Sequence, residues 1–447
     1  MKKNDIVTVN ITDISFDGQG IGRTGEGFVV FVKNALIGET VLVHILKVLK
    51  NTAYGKIKEI IEKSPDRTEP VCEVFSKCGG CAYMHTAYEN ELKLKTKSVK
   101  NALMSVAGLD CKVNEALGNT EYGYRNKMLV PLAKTKEGKV CAGFYRRNSH
   151  DVIPMENCSI SHNDFPVLIK AVTDFCEKYN IEPYNELTKK GVIRHVFIRR
   201  GNYSGEIMAG VVTKTEKMPY KEEFVSALKS TGLNVVSIIQ NINKKDTNVI
   251  LGEKTVLLDG KPYIEDYMLG NKFFISCQAF YQVNTQMAEL LYEKAISYIN
   301  DGVETVFDLY CGAGTITLAL AKKAKKVFGI ENCEPAILNA RENAKENKIE
   351  NVEFICGQAE TEIKKLLDDG IKPDVVVLDP PRSGCDKKLI QSLMETLPPK
   401  IIYISCNPST MARDIKELLQ YYKVKFVQPV DLFPKTHHCE VICALYR

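Results

Sequence analysis

Three cysteines stand within one short stretch, Cys72-Glu73-Val74-Phe75-Ser76-Lys77-Cys78-Gly79-Gly80-Cys81. The C-x5-C-x2-C spacing suits an iron–sulfur cluster better than zinc, whose usual sites pair two close doublets. A fourth ligand has to come from elsewhere. Cys158, in the polar turn Glu156-Asn157-Cys158, is the first choice, ahead of Cys111 and Cys141. The chain carries 15 cysteines, an odd count, and lacks a secretory signal. Both facts argue against a disulfide framework and leave metal binding or catalysis. Free thiols are the plainer alternative, disfavoured by the close spacing.

A further sulfur occupies a different setting. Lys400 to Ser405 reads as a buried strand, Asn407-Pro408 as a turn, and Ser409 as the N-cap of a helix through Met411, Ile415, Leu418 and Leu419. Cys406 then lies at the carboxyl end of a strand and just before a helix, where open α/β sheets place their chemistry. The helix N-terminus is expected to lower the thiol pKa and favour the nucleophilic thiolate. The alternative is a small buried hydrophobe.

Carboxylates recur at the same edge. Val306-Phe307-Asp308-Leu309-Tyr310-Cys311-Gly312-Ala313-Gly314-Thr315 reads as strand, glycine loop and helix start. Glu331 closes the next strand, where a carboxylate suits the two hydroxyls of a ribose. The third glycine of a dinucleotide fingerprint is absent, and Tyr310 stands in the loop, so S-adenosylmethionine fits better than NAD. In Leu378-Asp379-Pro380-Pro381-Arg382 two prolines stiffen a loop in which Asp379 either binds cofactor or holds the loop, and Arg382 is placed to meet a phosphate. In His437-His438-Cys439-Glu440, Glu440 at a strand entrance is a candidate general base. The paired histidines are alternatively metal ligands, though no further ligand spacing accompanies them.

Several domains are needed to hold these groups. At 447 residues the length suggests roughly two to four. A hydrophobic content of 45% and charged content of 26% are ordinary for a soluble globular protein. No apolar run approaches a membrane span, and the start Met1-Lys2-Lys3-Asn4-Asp5 has no signal-peptide core, so a cytoplasmic location is expected. Residues 1–62 alternate as short strands broken by Gly18-Gln19-Gly20-Ile21-Gly22 and Gly38-Glu39, the pattern of a small OB-like β-barrel. A linker, Ser64 to Pro70, leads to a central region, 71–275, that is β-rich with helices near Phe165 to Tyr179 and Lys221 to Ser230. Its helix over 88–104 is charge-paired and is expected to pack on the catalytic domain. Residues 276–447 alternate helices with strands at Thr305–Leu309, Lys326–Ile330, Val352–Ile355, Asp374–Leu378 and Lys400–Ser405, the signature of a doubly wound, Rossmann-like parallel sheet. The net charge is only +5, but Tyr122 to Gly205 holds 14 Lys and Arg against 8 Asp and Glu, which leaves an RNA-binding face open there.

Taken together these residues resemble the RNA (uracil-C5-)-methyltransferase family, in the branch with an N-terminal TRAM domain and a 4Fe–4S cluster. The likeness covers nearly the whole chain. Gly18-Gln19-Gly20-Ile21-Gly22-Arg23 and Gly38-Glu39 look like a TRAM domain, and Cys72, Cys78, Cys81 and Cys158 look like the cluster site. Phe280-Tyr281-Gln282-Val283-Asn284 is similar to the family's methyltransferase-domain start, where the glutamine contacts S-adenosylmethionine. Tyr310, Glu331 and Asp379 match its other cofactor positions, Cys406 its nucleophile and Glu440 its base. Cys277-Gln278 and Cys439 depart from the usual pattern without touching a named role.

The resemblance implies a multidomain α/β enzyme that adds a cysteine to uracil C6, methylates C5 and removes the C5 proton. The flipped base implies a folded RNA with an exposed loop. The simple tRNA-specific relatives lack the TRAM domain and cluster, which favours 23S rRNA; neither a membrane nor a protein partner is implied. The competing readings are a tRNA uracil-C5 methyltransferase, a non-catalytic RNA-binding iron–sulfur protein, and an S-adenosylmethionine enzyme acting on another substrate.

Overall fold

The computed structural model describes residues 1–147 and 149–447. At the N-terminus alternating apolar residues turn Val9, Ile11, Val30, Val32, Val41, Val43, Ile45 and Ala53 into one small core. Five strands wrap it: β1 (Ile6–Ile14), β2 (Gly20–Arg23), β3 (Val29–Lys33), β4 (Thr40–Val48) and β5 (Thr52–Glu62). They close into a barrel in the order β1-β2-β3-β5-β4, its one parallel pair joining β3 to β5. Closure removes the free edges that a five-stranded sheet would expose. The linker is tied back to the barrel where Arg67 pairs with the buried Glu39.

The helix α1 (Tyr88–Ala102) runs on through a π turn, Leu103–Ala107, and its Val99 and Leu103 join the hydrophobic core on one face of the C-terminal sheet. The helix thus packs with the end of the chain, while the cysteine loop before it packs with Tyr124 and Ile160 of the central region. A seven-stranded sheet follows, formed by β6 (Lys127–Lys134), β7 (Val140–Tyr145), β8 (Val152–Pro154), β9 (Ile193–Arg200), β10 (Ile207–Thr213), β11 (Val235–Ile242) and β12 (Lys254–Gly260). Its order is β12-β11-β10-β9-β6-β7-β8. Two helices, α2 (Phe165–Lys178) and α3 (Lys221–Lys229), bury Phe165, Leu168, Phe175, Phe224 and Leu228 in this sheet's core. The hairpin β13 (Tyr263–Met268) and β14 (Asn271–Ser276) leads out of it.

The C-terminal part is built from α4 (Thr285–Ile296), β15 (Val303–Leu309), α5 (Thr315–Leu320), β16 (Ala324–Glu331), α6 (Glu334–Glu346), β17 (Val352–Cys356), α7 (Ala359–Asp368), β18 (Val375–Leu378), α8 (Lys387–Thr396), β19 (Lys400–Ser405), α9 (Pro408–Leu418), β20 (Lys423–Val430) and β21 (Glu440–Tyr446). The sheet order is β17-β16-β15-β18-β19-β21-β20. The first five strands are parallel; β21 inserts antiparallel between β19 and β20. Both faces are covered by helices, so β18 and β19 are apolar at nearly every position and buried throughout. The order in which the chain adds strands reverses between β15 and β18. The carboxyl ends of those two strands therefore open a crevice at the topological switch point.

The middle of the chain also fixes the approach to that crevice. Arg199 is buried and donates from Nη1 to Ser276 O at 2.7 Å and from Nη2 to Ala279 O at 2.9 Å. Asn126 donates through Nδ2 to Gln282 O and to Thr285 Oγ1, both at 3.0 Å. Among the described residues no helix is long and apolar enough to cross a membrane.

Candidate active site

Four loops meet in the crevice. The first follows β15. Tyr310 adopts a left-handed backbone (φ 70°), unusual for an aromatic residue, and its N–H and that of Cys311 donate to Ile330 O at 2.9 and 3.0 Å. Gly314 has φ 83°, and a Cβ there would meet the Phe354 ring at 3.0 Å, so both space and backbone demand glycine. Glu331 ends β16. Its Oε2 accepts from Gly312 N at 3.2 Å and its Oε1 from Cys333 N at 2.9 Å. Each oxygen keeps a lone pair for a second donor. Tyr310 and Glu331 line a cavity of about 620 Å3, together with Ile330, Asn332, Gln358 and Pro381. That volume is within the range of small-molecule sites.

Deeper in the crevice lie Gln282 and Asp379. Gln282 Nε2 donates to the buried Tyr292 Oη at 3.1 Å, and Asp379 is the charge that acts most strongly on that hydroxyl. Asp308, at the end of β15, is fully buried; its Oδ2 accepts from Thr317 Oγ1 at 2.5 Å while its Oδ1 has no partner. An orphaned buried carboxylate oxygen beside a ribose-type acceptor and a cavity of this size fits a cationic, hydroxyl-bearing ligand such as S-adenosylmethionine. Burial pushes Asp308 and Asp379 up to about 7 each.

Cys406 follows β19 on the other side of the crevice. The helix cap differs from expectation: it is Asn407 whose side chain accepts from Ser409 N at 3.1 Å, with Pro408 at the first helical position. Proline fits there because its missing N–H has no helical partner to lose. Asn407 Nδ2 also donates to Arg382 O at 3.3 Å, which ties the proline loop to the cysteine loop.

The thiol itself departs from the sequence-based expectation. Burial first, then the nearby Glu440, push Cys406 up to about 11, and Arg382 opposes them. The partial charge of a helix end is outweighed by desolvation and two carboxyl neighbours. Glu440 opens β21, is 5% exposed, and is pushed up to about 8 by burial and by Asp379, again against Arg382. The charges of Asp379 and Arg382, both on the loop after β18, thus act on Cys406 after β19 and on Glu440 at the start of β21. The paired histidines find other partners: the His437 ring meets Phe16 of the barrel edge-on at 5.9 Å, and His438 Nε2 lies 3.5 Å from Arg382 Nη2.

Residues 218–447 match the family model described as tRNA (Uracil-5-)-methyltransferase, and residues 2–58 match the TRAM domain. An RNA methyltransferase of Clostridium tetani described as uncharacterized is 45% identical over 99% of this chain and 96% of its own length. The chain belongs to the RNA uracil-5 methyltransferase family. A further relative described in the same words, from Bacillus cereus, is 43% identical over 100% of this chain and 98% of its own length. Among solved structures, the Pyrococcus abyssi tRNA (uracil-54, C5)-methyltransferase in complex with S-adenosyl-L-homocysteine aligns with a TM-score of 0.78 and 25% identity, covering 98% of this chain and 99% of the other. The protein is therefore an S-adenosylmethionine-dependent RNA uracil-C5 methyltransferase with a TRAM barrel at its N-terminus.

This methyltransferase holds a second feature outside the crevice. Cys72, Cys78, Cys81 and Cys158 all line one cavity of about 170 Å3, with Phe75, Met84, Ile160 and Arg125 around them. Cys111 instead packs against the core of the C-terminal sheet, and Cys141 lies within β7. Among the described residues no three His, Cys, Asp or Glu side chains converge on a site for a single metal ion. The cavity is several times the roughly 30 Å3 share of one water molecule. Four thiols around such a space supply the donor set of a sulfur-ligated cluster.

Sequence reasoning missed Tyr292, the partner of Gln282, and the orphaned oxygen of Asp308. It named Arg382 but not its place beside Cys406. A tyrosine in a helix carries no signal of its own; only the fold aims it at the crevice.

Proposed function

We propose that this methyltransferase modifies C5 of a uridine in 23S rRNA, with Cys406 as nucleophile, Glu440 as base, Gln282, Tyr310, Glu331 and Asp379 as cofactor-binding residues, and a 4Fe–4S cluster held by Cys72, Cys78, Cys81 and Cys158. The observation that carries the reading is the meeting of Cys406, Glu440, Asp379 and Arg382 at the switch-point crevice. Uracil C5 is too weak a nucleophile to act unaided. Cys406 gives its proton to solvent and its Sγ bonds to C6, and the C5=C6 electron pair moves into an enolate, which makes C5 nucleophilic. When bound, S-adenosylmethionine supplies an electrophilic methyl group. Glu440, ionised, then takes the C5 proton; the C5–H electrons re-form the double bond and the C6–S bond breaks, returning the thiolate. Arg382 favours the charged forms of both Cys406 and Glu440, and it is exposed where an RNA phosphate can approach. Gln282 is fixed from behind by Asn126 and sideways by Tyr292, which holds the inner end of the cofactor site.

Ribosomal RNA is the first reading on the resemblance to the cluster-bearing branch of the family. A tRNA target is the second reading, favoured by the end-to-end likeness to a tRNA methyltransferase. The test is methylation of purified 23S rRNA and bulk tRNA lacking 5-methyluridine, with nucleoside mass spectrometry. The reading expects 5-methyluridine in 23S rRNA. Its appearance only in tRNA overturns the rRNA assignment.

A further inference from the structure

The segment that delivers Glu440 is held at four consecutive carbonyls by four different parts of the chain. Leu432 O accepts from Asn284 Nδ2 at 3.1 Å, Phe433 O from Lys95 Nζ at 3.3 Å, and Pro434 O from Tyr124 Oη at 2.9 Å. Lys435 O accepts from both Ala82 N and Tyr83 N, at 2.8 and 3.0 Å, directly after Cys81. Lys435 itself has φ 68°, a left-handed conformation that a residue with a side chain adopts at a cost and keeps only when its surroundings enforce it.

Beneath this segment lies a buried network of charge, which Lys435 Nζ extends to Glu121 at 2.7 Å. Lys95 of α1 is 1% exposed, and Glu91 and Asp431 are fully buried. Lys95 Nζ donates to Glu91 Oε1 at 2.8 Å and to Asp431 Oδ1 at 2.5 Å, so with Phe433 O its three protons have three acceptors. Glu91 Oε1 also accepts from Lys435 N at 2.7 Å. The chemistry proposed above uses none of these side chains. A buried ionic network is a poor source of stability, since apolar residues of like volume do as well or better, and its best-attested use is to fix one arrangement over others.

We infer that Lys95 is a positioning residue for the reaction: through Asp431, Glu91 and the carbonyls above them it fixes the 431–436 segment and thereby the place of Glu440. The inference rests on the proposed function only in taking Glu440 as the base. Two substitutions separate it from a general effect on folding. Lys95→Met keeps length and removes the ammonium. Tyr124→Phe keeps the ring, removes a single hydroxyl, and carries the test where Lys95→Met does not fold.

Hydrogen–deuterium exchange on the full chain, purified without oxygen, reads the geometry. Amide exchange in 432–440 should rise about tenfold or more in Lys95→Met and by a few-fold in Tyr124→Phe, with β15, β19 and iron content unchanged. With RNA and S-adenosylmethionine, Lys95→Met should still form the Cys406–RNA adduct at close to the wild-type rate but resolve it slowly, as is expected of Glu440→Gln, which keeps the nucleophile and lacks the base. Unchanged protection of 432–440, or equal loss of protection in β15 and β19, overturns the inference. So does equal slowing of adduct formation and resolution. A loosened segment with no adduct in Glu440→Gln keeps Lys95 as the holder of the segment and removes Glu440 as the base, which separates the two failures.

Discussion

Replacing Glu440 by Gln should stabilise the cofactor-free enzyme, and more so as the pH rises. Glu440 is 5% exposed, and burial together with Asp379 raises it from the usual 4.5 to about 8. The neutral acid is the form the fold tolerates. Stability from this group is therefore complete below the range of an unfolded glutamate and is lost as pH rises from about 4.5 through about 8. Each tenfold is about 1.4 kcal/mol, so the full loss is on the order of 5 kcal/mol above pH 8 and on the order of 1 kcal/mol at pH 5.5. A glutamine side chain at this position carries no such cost at any pH, and its differences in packing and hydrogen bonding do not titrate. The gain of Glu440→Gln over wild type should thus grow by about 3 kcal/mol between pH 5.5 and 8.5. Urea denaturation followed by circular dichroism at both pH values, in the same anaerobic buffer, measures it. A difference between the proteins that does not change with pH, or that favours wild type more at pH 8.5, refutes the reasoning.

The charge balance gives a companion test: Arg382→Gln should raise the pH at which iodoacetamide alkylates Cys406 and shift the rise in methylation rate to higher pH, because Arg382 favours the charged forms of both Cys406 and Glu440. In wild type that rise should begin near 8 as Glu440 ionises and continue towards 11 as the Cys406 thiol ionises. Glu331→Ala should weaken S-adenosylmethionine by roughly 1.5–3 kcal/mol in calorimetry, the worth of charge-assisted bonds to ribose hydroxyls; unchanged affinity removes Glu331 from the site. Cys81→Ser or Cys158→Ser should cost the anaerobically purified protein its iron, sulfide and brown colour, whereas one stoichiometric zinc with no iron removes the cluster assignment.

Much of the architecture was legible because the signals were local. Runs such as Val375-Val376-Val377-Leu378 and Ile401-Ile402-Tyr403-Ile404 announce strands buried on both faces, and the structure has them there. The barrel was readable from alternation in β1 and β4 broken by glycine turns. The insertion of β21 between β19 and β20 was not, since strand order depends on contacts distant in sequence. Electrostatics was the least legible part. A helix end next to Cys406 is visible in the sequence, but Glu440 and Asp379, which with burial reverse its effect, come from elsewhere in the chain. The sequence shows α1 as a charge-paired helix expected to pack on the catalytic domain, but only its packing under the 431–436 segment reveals Glu91 and Lys95 as a buried network.

The most direct measurement is the identity of the residue that bonds to RNA. RNA made with 5-fluorouridine should trap the wild-type enzyme, because the C5 fluorine cannot leave as a cation and elimination stops. Proteolysis and mass spectrometry of the denatured complex should find the nucleotide on the peptide containing Cys406, and Cys406→Ala should give no complex. A nucleotide on Cys311, Cys439 or any other residue, or an undiminished complex with Cys406→Ala, contradicts the mechanism.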